Sequence, residues 1–456
     1  MFVSRFAFLL ALTFISLIGF DTAQGADRLQ PGDVLIYRGA IEKLERDNAP
    51  TPGKQFELTL IVRSSDPSGT QFDWLIDEQG ASAWPWIERF GRLSISADGK
   101  PVGAAGPSAL YEHSLGKSVV PLHPPLWPHE PKLAAGVMWN ADEHDYQVEG
   151  KRKIAEVDSW QVDVRNNYGP KRVVWVAVDG SLVAGCDERV FMGQGTEYQS
   201  QLRLASRSRL SDEEREANEA GFTTLLDLRG QLKRPTRSQQ ADWTDEHRAL
   251  LQPAVAELEK KITQGPLVRL VRVASRDLQS QSGRADALGE LASRNLDKPL
   301  PDFELTTLAG ETVRTDDLKG KLVVLHFWDY RDEPLKEPYG QVGYLEFLFG
   351  RHREAGLQVY GVAVDGRLRE EGTKRAAMTG IRRLKTFMNL TYPIMLDGGE
   401  WISKLGDPRT VGAELPLFVV VDRSGKVVHF RTGTYAVDQQ QGLKELDKLI
   451  AQQLKK

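Results

Sequence analysis

Thiol, imidazole and carboxylate chemistry are thinly supplied in this chain. Its 456 residues hold one cysteine, Cys186, and 8 histidines. A dithiol couple needs one thiolate to attack and a second thiol to resolve the mixed disulfide, so no couple can form within one chain. Cys186 lies in "SLVAGCDERV", in or beside a strand, with no cationic neighbour or helix start to lower its pKa. It reads as a small buried apolar residue, with a reactive thiol as the alternative. The segment "PLHPPLWPHEP" (121–131) offers His123, His129 and Glu130 as a weak metal site or a polyproline II recognition segment. That spacing matches no recognised ligand motif, and His113 and "DEHD" (142–145) do not complete one. An ordered loop packing Trp127 against a β domain is the preferred reading. The chain has no Walker A loop, no G-x-G-x-x-G after a strand, no G-x-S-x-G elbow and no H-E-x-x-H. Neither a cofactor nor a metal is expected.

One further stretch joins a strand to a helix through a short polar turn. "VVLHFWDYRDEPLKEP" (323–338) takes an apolar strand into Phe327 and Trp328, then through the polar turn Asp332-Glu333-Pro334-Leu335 into a helix. Asp332 suits a helix N-cap, a role worth about 0.5–2 kcal/mol. Pro334 is tolerated in a first turn, where its missing N–H has no partner to lose. The turn reads as a well-capped structural helix start, and no catalytic residue is assigned in it. His326, one place before Phe327, reads as a buried, hydrogen-bonded core histidine, with an acid–base group as the alternative.

The elements around these residues fall into three regions. Residues 27–208 alternate apolar and polar side chains in "DVLIYRG", "FELTLIVR", "TQFDWLID", "WQVDVRN" and "RVVWVAVDG", punctuated by turns such as Asp66-Pro-Ser-Gly69. This predicts an antiparallel β domain, curved or partly closed. Residues 209–292 predict a helical connector, opened by Ser211 and Glu214 in capping-box spacing. A second helical pattern there is interrupted by Pro253, which should kink or split it. From residue 293 to 456, strands alternate with helices near 339–355, 373–389 and 440–454, an α/β pattern whose first two strands are apolar enough to be buried on both faces. No fixed-period repeat is visible.

Charge and the N-terminus bear on location and partners. With 59 basic and 63 acidic residues the net charge is −4, which draws the molecule neither to nucleic acid nor to anionic lipid. The basic run 366–385 reads as the solvated face of a surface helix and has no aromatics interleaved for nucleic-acid binding. Arg5 followed by the apolar run Phe6–Phe20 and small residues at Ala23 and Gly25 reads as a signal peptide over 1–25. That run is shorter than the roughly 20 residues of a membrane span, so a retained anchor is the lesser reading. Membrane contact is expected only transiently, and the protein is expected in the periplasm or outside the cell.

The C-terminal residues carry a family resemblance. "PLPDFELTTLAGETVRTDDLKGKLVVLHFW" (299–328) is similar to the entry of extracytoplasmic thioredoxin-like proteins and the peroxiredoxin/thiol-specific-antioxidant superfamily. "GLQVYGVAVD", "YPIMLDGG" and "LGDPRTVGAELPLFVVVDRSGKVV" match its later strands, so the resemblance covers about 295–456. It implies a thioredoxin-like fold. The family turn F-W-x-x-W-C-x-P-C-K, laid down without a gap, agrees at Phe327, Trp328, Pro334 and Lys336. Asp332 and Leu335 stand where its cysteines would be, and Arg331 replaces the second tryptophan. Leu415-Pro416 matches the family's cis-proline step, beside which backbone can pair with an extended peptide. His326 falls where thioredoxin carries a buried carboxylate. Separately, the stretch from "DYQVEGKRKI" to "MGQGTEYQSQLRL" faintly resembles the half-barrel domains of envelope lipoprotein carriers.

These readings combine into an expected redox-inactive binding or scaffold protein of the bacterial envelope. Trp328, Asp332, Leu415, Pro416 and His326 are its candidate contact residues, and an envelope protein or extended peptide is its partner. Two alternatives stand beside it. One is a thiol–disulfide oxidoreductase or peroxiredoxin-like antioxidant using Cys186 or a partner's thiol. The other is a carrier that holds an apolar ligand in a sheet rich in tryptophan, with Trp74, Trp84 and Trp86.

Overall fold

The computed structural model describes residues 29–45, 48–80, 82–103, 106–128, 131–235, 237–330, 341–438 and 440–456. The 1–25 leader, His129, Glu130 and the turn Asp332, Glu333, Pro334 and Leu335 therefore lie outside the described residues. The chain divides into two compact units, residues 1–276 and 277–456.

The first unit is built on antiparallel strands. Out from the centre run β1 (Asp33–Glu45), β2 (Asn48–Asp66), β3 (Gly69–Glu78), β4 (Phe90–Ser96) and the short β5 (Pro101–Val102). A separate hairpin follows, β6 (Ser108–His113) and β7 (Gly116–Pro121). The chain then returns through β8 (Met138–Ala141), β9 (His144–Ile154), β10 (Val157–Asn166), β11 (Gly169–Ala177), β12 (Val183–Met192) and β13 (Thr196–Arg209). Strand β13 pairs with β1, closing the order β5-β4-β3-β2-β1-β13-β12-β11-β10-β9-β8. Alternation sends Leu35, Tyr37, Leu58, Leu60, Phe72 and Ile76 into one core. Gly69 holds φ +151° in the β2–β3 turn, where an added Cβ would lie 2.2 Å from the Ile95 carbonyl oxygen. Lys54 and Glu78 form a buried ion pair at 2.7 Å, and Glu78 also accepts the backbone N–H groups of Trp84 and Leu110. That full set of partners is what makes the pair tolerable away from water.

Three helices follow: α1 (Asp212–Gln231), α2 (Asp245–Lys261) and α3 (Leu267–Asn295), with the division between units falling inside α3. The capping box is complete, with Ser211 Oγ accepting from Glu214 N and Glu214 accepting from Ser211 N. Around Pro253 there is one helix, not two. Proline removes a single i→i−4 bond, and the buried stripe Leu251, Val255 and Leu258 holds the turns on either side.

The second unit is a seven-stranded mixed sheet. Its strands are β14 (Glu304–Thr307), β15 (Thr312–Arg314), β16 (Leu322–Trp328), β17 (Leu357–Val364), β18 (Ile394–Asp397), β19 (Leu417–Val421) and β20 (Val427–Thr432). Their order is β15-β14-β18-β17-β16-β19-β20. Strands β16, β17 and β18 are mutually parallel, while β19 runs antiparallel to β16. Helices α4 (Val342–His352), α5 (Glu371–Phe387), α6 (Glu400–Leu405) and α7 (Lys444–Leu454) cover the faces. Alternate residues of β16 enter two cores, Val323, Leu325 and Phe327 on one side and Val324 and Trp328 on the other. This two-sided burial is why the strand reads as an unbroken apolar run. The whole is thus multidomain: an N-terminal antiparallel β domain, helices, and a C-terminal α/β thioredoxin-like fold. No described helix is long and apolar enough to cross a membrane.

Candidate functional site

Strand β16 delivers its last residues to the edge of the C-terminal domain. Phe327 is registered opposite Leu417 and His326 opposite Phe418, so Trp328 ends beside the Leu415-Pro416 step that feeds β19. The Leu415-Pro416 peptide is cis. The Pro416 carbonyl accepts from Gly433 N at 2.8 Å, whereas the backbone of half-buried Leu415 makes no hydrogen bond among the described residues. The structure therefore brings His326, Trp328, Leu415 and Pro416 to one region.

His326 is fully buried, its ring stacked on Phe418 with centroids 4.4 Å apart. Phe418 meets Tyr435 edge-on at 5.0 Å, and the Tyr435 hydroxyl lies 2.6 Å from His429 Nε2. Burial pushes the Tyr435 phenol up and the His429 imidazole down, so both favour their neutral forms. Gln341 fixes the tyrosine from the other side: its Nε2 donates to Tyr435 O at 2.7 Å and its Oε1 accepts from Tyr435 N at 2.8 Å. Trp328 is also buried, and its indole Nε1–H finds no acceptor among the described residues. It passes close over Gly361, where a Cβ would lie 3.2 Å from Nε1.

The rim is ionic. Arg409 makes a bidentate pair with Asp407 at 3.0 and 2.7 Å and reaches Asp329 at 3.8 Å. Burial pushes Asp407 up, but the Arg409 hydrogen bonds and charge outweigh it and hold the carboxyl below its usual range. Asp397, fully buried, accepts the backbone N–H groups of Gly399, Trp401 and Ile402 in the first turn of α6. That turn carries Trp401, which packs against Phe327 at 5.1 Å and so backs the end of β16. Reading the sequence did not single out Asp397, Arg409 or Gln341. "LDGGE" carried a signal for the first, an aspartate followed by two glycines at a strand end.

The other candidates sit in the first unit. Cys186 is 2% exposed on β12, opposite Val174 and Leu202, and burial pushes its thiol well above the ordinary range. It has the setting of an inert core thiol. Trp127 packs into the same cluster with Val148 and Val162, and His123 stacks on it at 6.3 Å while its Nδ1 lies 2.7 Å from the Pro124 carbonyl oxygen. Trp74, Trp84 and Trp86 are buried core residues. No group of three metal-ligating side chains is placed together among the described residues.

Residues 296–430 match the AhpC/TSA family. The chain is similar to the thiol-disulfide oxidoreductase ResA of Bacillus thuringiensis (strain Al Hakam), 30% identical over 148 residues, which are 32% of this chain and 74% of that relative. ResA of a Bacillus cereus strain is 28% identical over 145 residues, 32% of this chain and 74% of its own length. Among solved structures, a thiol:disulfide interchange protein from Chlorobium tepidum TLS is 19% identical, covers 35% of this chain and 97% of its own, and has a TM-score of 0.27.

Proposed function

We propose that this chain, which belongs to the AhpC/TSA family through its C-terminal domain, is an exported, redox-inactive binding or scaffold protein of the bacterial envelope. One observation carries the reading. The domain similar to thiol-disulfide oxidoreductases contains no cysteine, and the chain's single thiol is buried in the other unit. Thiol–disulfide exchange needs an accessible thiolate, and burial suppresses both access and ionisation at Cys186. The reading is supported by the cis Leu415-Pro416 step beside Trp328, where the Leu415 backbone makes no hydrogen bond among the described residues. An extended segment of an envelope protein adding its backbone there is the mode this geometry supports. Export rests on the leader pattern of residues 1–25.

Two assays on the full chain test the reading. In insulin reduction, wild type and Cys186→Ala should show the same negligible turnover; turnover that disappears in the variant would return the protein to the thiol enzymes. In capture from envelope extract, a protein held by wild type should be lost with Pro416→Ala. Identical capture by both would move the contact surface elsewhere.

A further inference from the structure

The first unit holds a cavity that the thioredoxin-like domain does not explain. Its volume is about 710 Å³, and it lies where the β2–β3, β4–β5 and β11–β12 turns come together at one end of the sheet. That size falls within the range of small-molecule sites, roughly 300–1,000 Å³.

Its lining has two parts. The floor is apolar, formed by Leu29, Leu126, Trp127, Val157, Leu182 and Leu204. Leu29 and Leu204 belong to the main core of the sheet, and Leu126, Val157 and Leu182 pack against that core while remaining half-exposed. The cavity is therefore a place where the core continues without cover from the described residues. Trp127 is 7% exposed, and its indole Nε1–H is buried without an acceptor among the described residues. The mouth is acidic, with the exposed carboxylates Asp66, Asp158 and Asp179. Among the described residues Arg207 is the one cation in the lining, and its guanidinium is engaged by Asp33 at 2.9 Å.

We propose that this cavity binds a small cationic amphiphile, an apolar body carrying an amine or quaternary ammonium head. The floor offers apolar contact over its whole extent, which an entirely polar ligand would leave unused. The three exposed carboxylates line one cavity, and charges gathered around one cavity act together most at low ionic strength. They attract a cationic head and repel a carboxylate or sulfate head. A fatty acid of equal chain length is thus the discriminating competitor. The proposal is independent of the redox reading of the other unit, since no residue of that domain enters it.

The experiment uses the full chain and two probes of equal chain length below their micelle concentrations, dodecyltrimethylammonium and laurate, followed by calorimetry. The ammonium should bind about tenfold or more tightly than laurate at low salt, with the gap narrowing as salt rises. Asp158→Asn with Asp179→Asn removes two exposed carboxylates without touching the core and should cut that preference to about threefold or less. Leu182→Trp, which fills the floor, should abolish binding of both probes while the circular dichroism spectrum is retained. Equal binding of the two probes, an unchanged preference in the double variant, or no binding of either would each overturn the proposal. Should Leu182→Trp fail to fold, the exposed double variant decides alone.

Discussion

The imidazole of His326 lies against the ring of Phe418, 4.4 Å between centroids and 24° between planes, at the centre of the C-terminal sheet. Neither ring is exposed to solvent, and Phe418 passes the contact on to Tyr435 and, through its hydroxyl, to His429. A histidine so placed acts as a flat packing surface between strands β16 and β19.

That role ranks two substitutions. His326→Ala empties a fully buried site and should cost about 2–4 kcal/mol of unfolding free energy. His326→Phe keeps the flat ring and most of the volume and should cost less than about 2 kcal/mol. Urea unfolding read by tryptophan fluorescence measures both, and a cost for His326→Phe as large as that for His326→Ala would show that a polar contact of the imidazole, lost in both, outweighs its packing.

Gly361 sets the height of the neighbouring strand under Trp328. A Cβ there would come within 3.1 Å of Tyr392 Cε2 and 3.2 Å of Trp328 Nε1, two rings that are themselves buried. Gly361→Ala should destabilise the domain by about 1–3 kcal/mol by overpacking, despite alanine's better fit to a strand backbone. A thermal midpoint equal to wild type would mean that both rings move aside freely.

The sequence revealed much of this and missed the rest for identifiable reasons. Stretches of alternating apolar and polar residues between turn signals exposed β1, β2, β3, β10 and β11, because period two is legible in a short window even where, as in Phe72–Ile76 of β3, both faces are buried. The capping box exposed the start of α1. Strand β12 was half-seen, since its inward set includes Ala184 and Cys186, which are weak apolar markers. At the site, His326, Trp328, Leu415 and Pro416 could be grouped only through a family pattern, because Phe327 and Leu417 meet across ninety positions of chain. Asp397, Arg409 and Gln341 escaped notice because each acts through backbone or a distant partner. The cavity was invisible for the same reason: its floor is assembled from residues 29 to 204 by the return of β13 to β1.

His123 gives the first unit a pH-dependent term whose sign is fixed. Burial, with Arg172 adding to it, pushes the imidazole from 6.5 down to about 4. Between those values the unfolded chain binds a proton that the native state refuses. The contribution is complete above pH 6.5 and is lost as pH falls towards 4, to a limit of about 3 kcal/mol. Asp73 acts in the opposite sense, because burial pushes its carboxyl up to about 6. The whole-protein profile therefore mixes the two, and the useful quantity is the difference between wild type and His123→Phe. From pH 7 to pH 4 wild type should lose stability relative to the variant. A difference that stays constant with pH would place the native imidazole at its ordinary pKa.

Cys186 tests the absence of thiol chemistry without any assumption about partners. The thiol is 2% exposed between β11 and β13, and burial pushes it away from ionisation at neutral pH. Attack on a disulfide reagent requires a thiolate that the reagent can reach, so the native chain should react with an aromatic disulfide only through opening of the sheet. In the limit of fast reclosing, the labelling rate should be lower than that of the unfolded chain by the equilibrium constant for that opening, about a thousandfold or more for a core strand. The rate should rise along the urea unfolding curve rather than before it. Complete labelling of native protein at the speed of a free thiol would place Cys186 within reach of a partner and reopen an exchange mechanism that starts from the β domain. Slow labelling that follows unfolding leaves the chain with no thiol to offer, whichever surface its partner occupies.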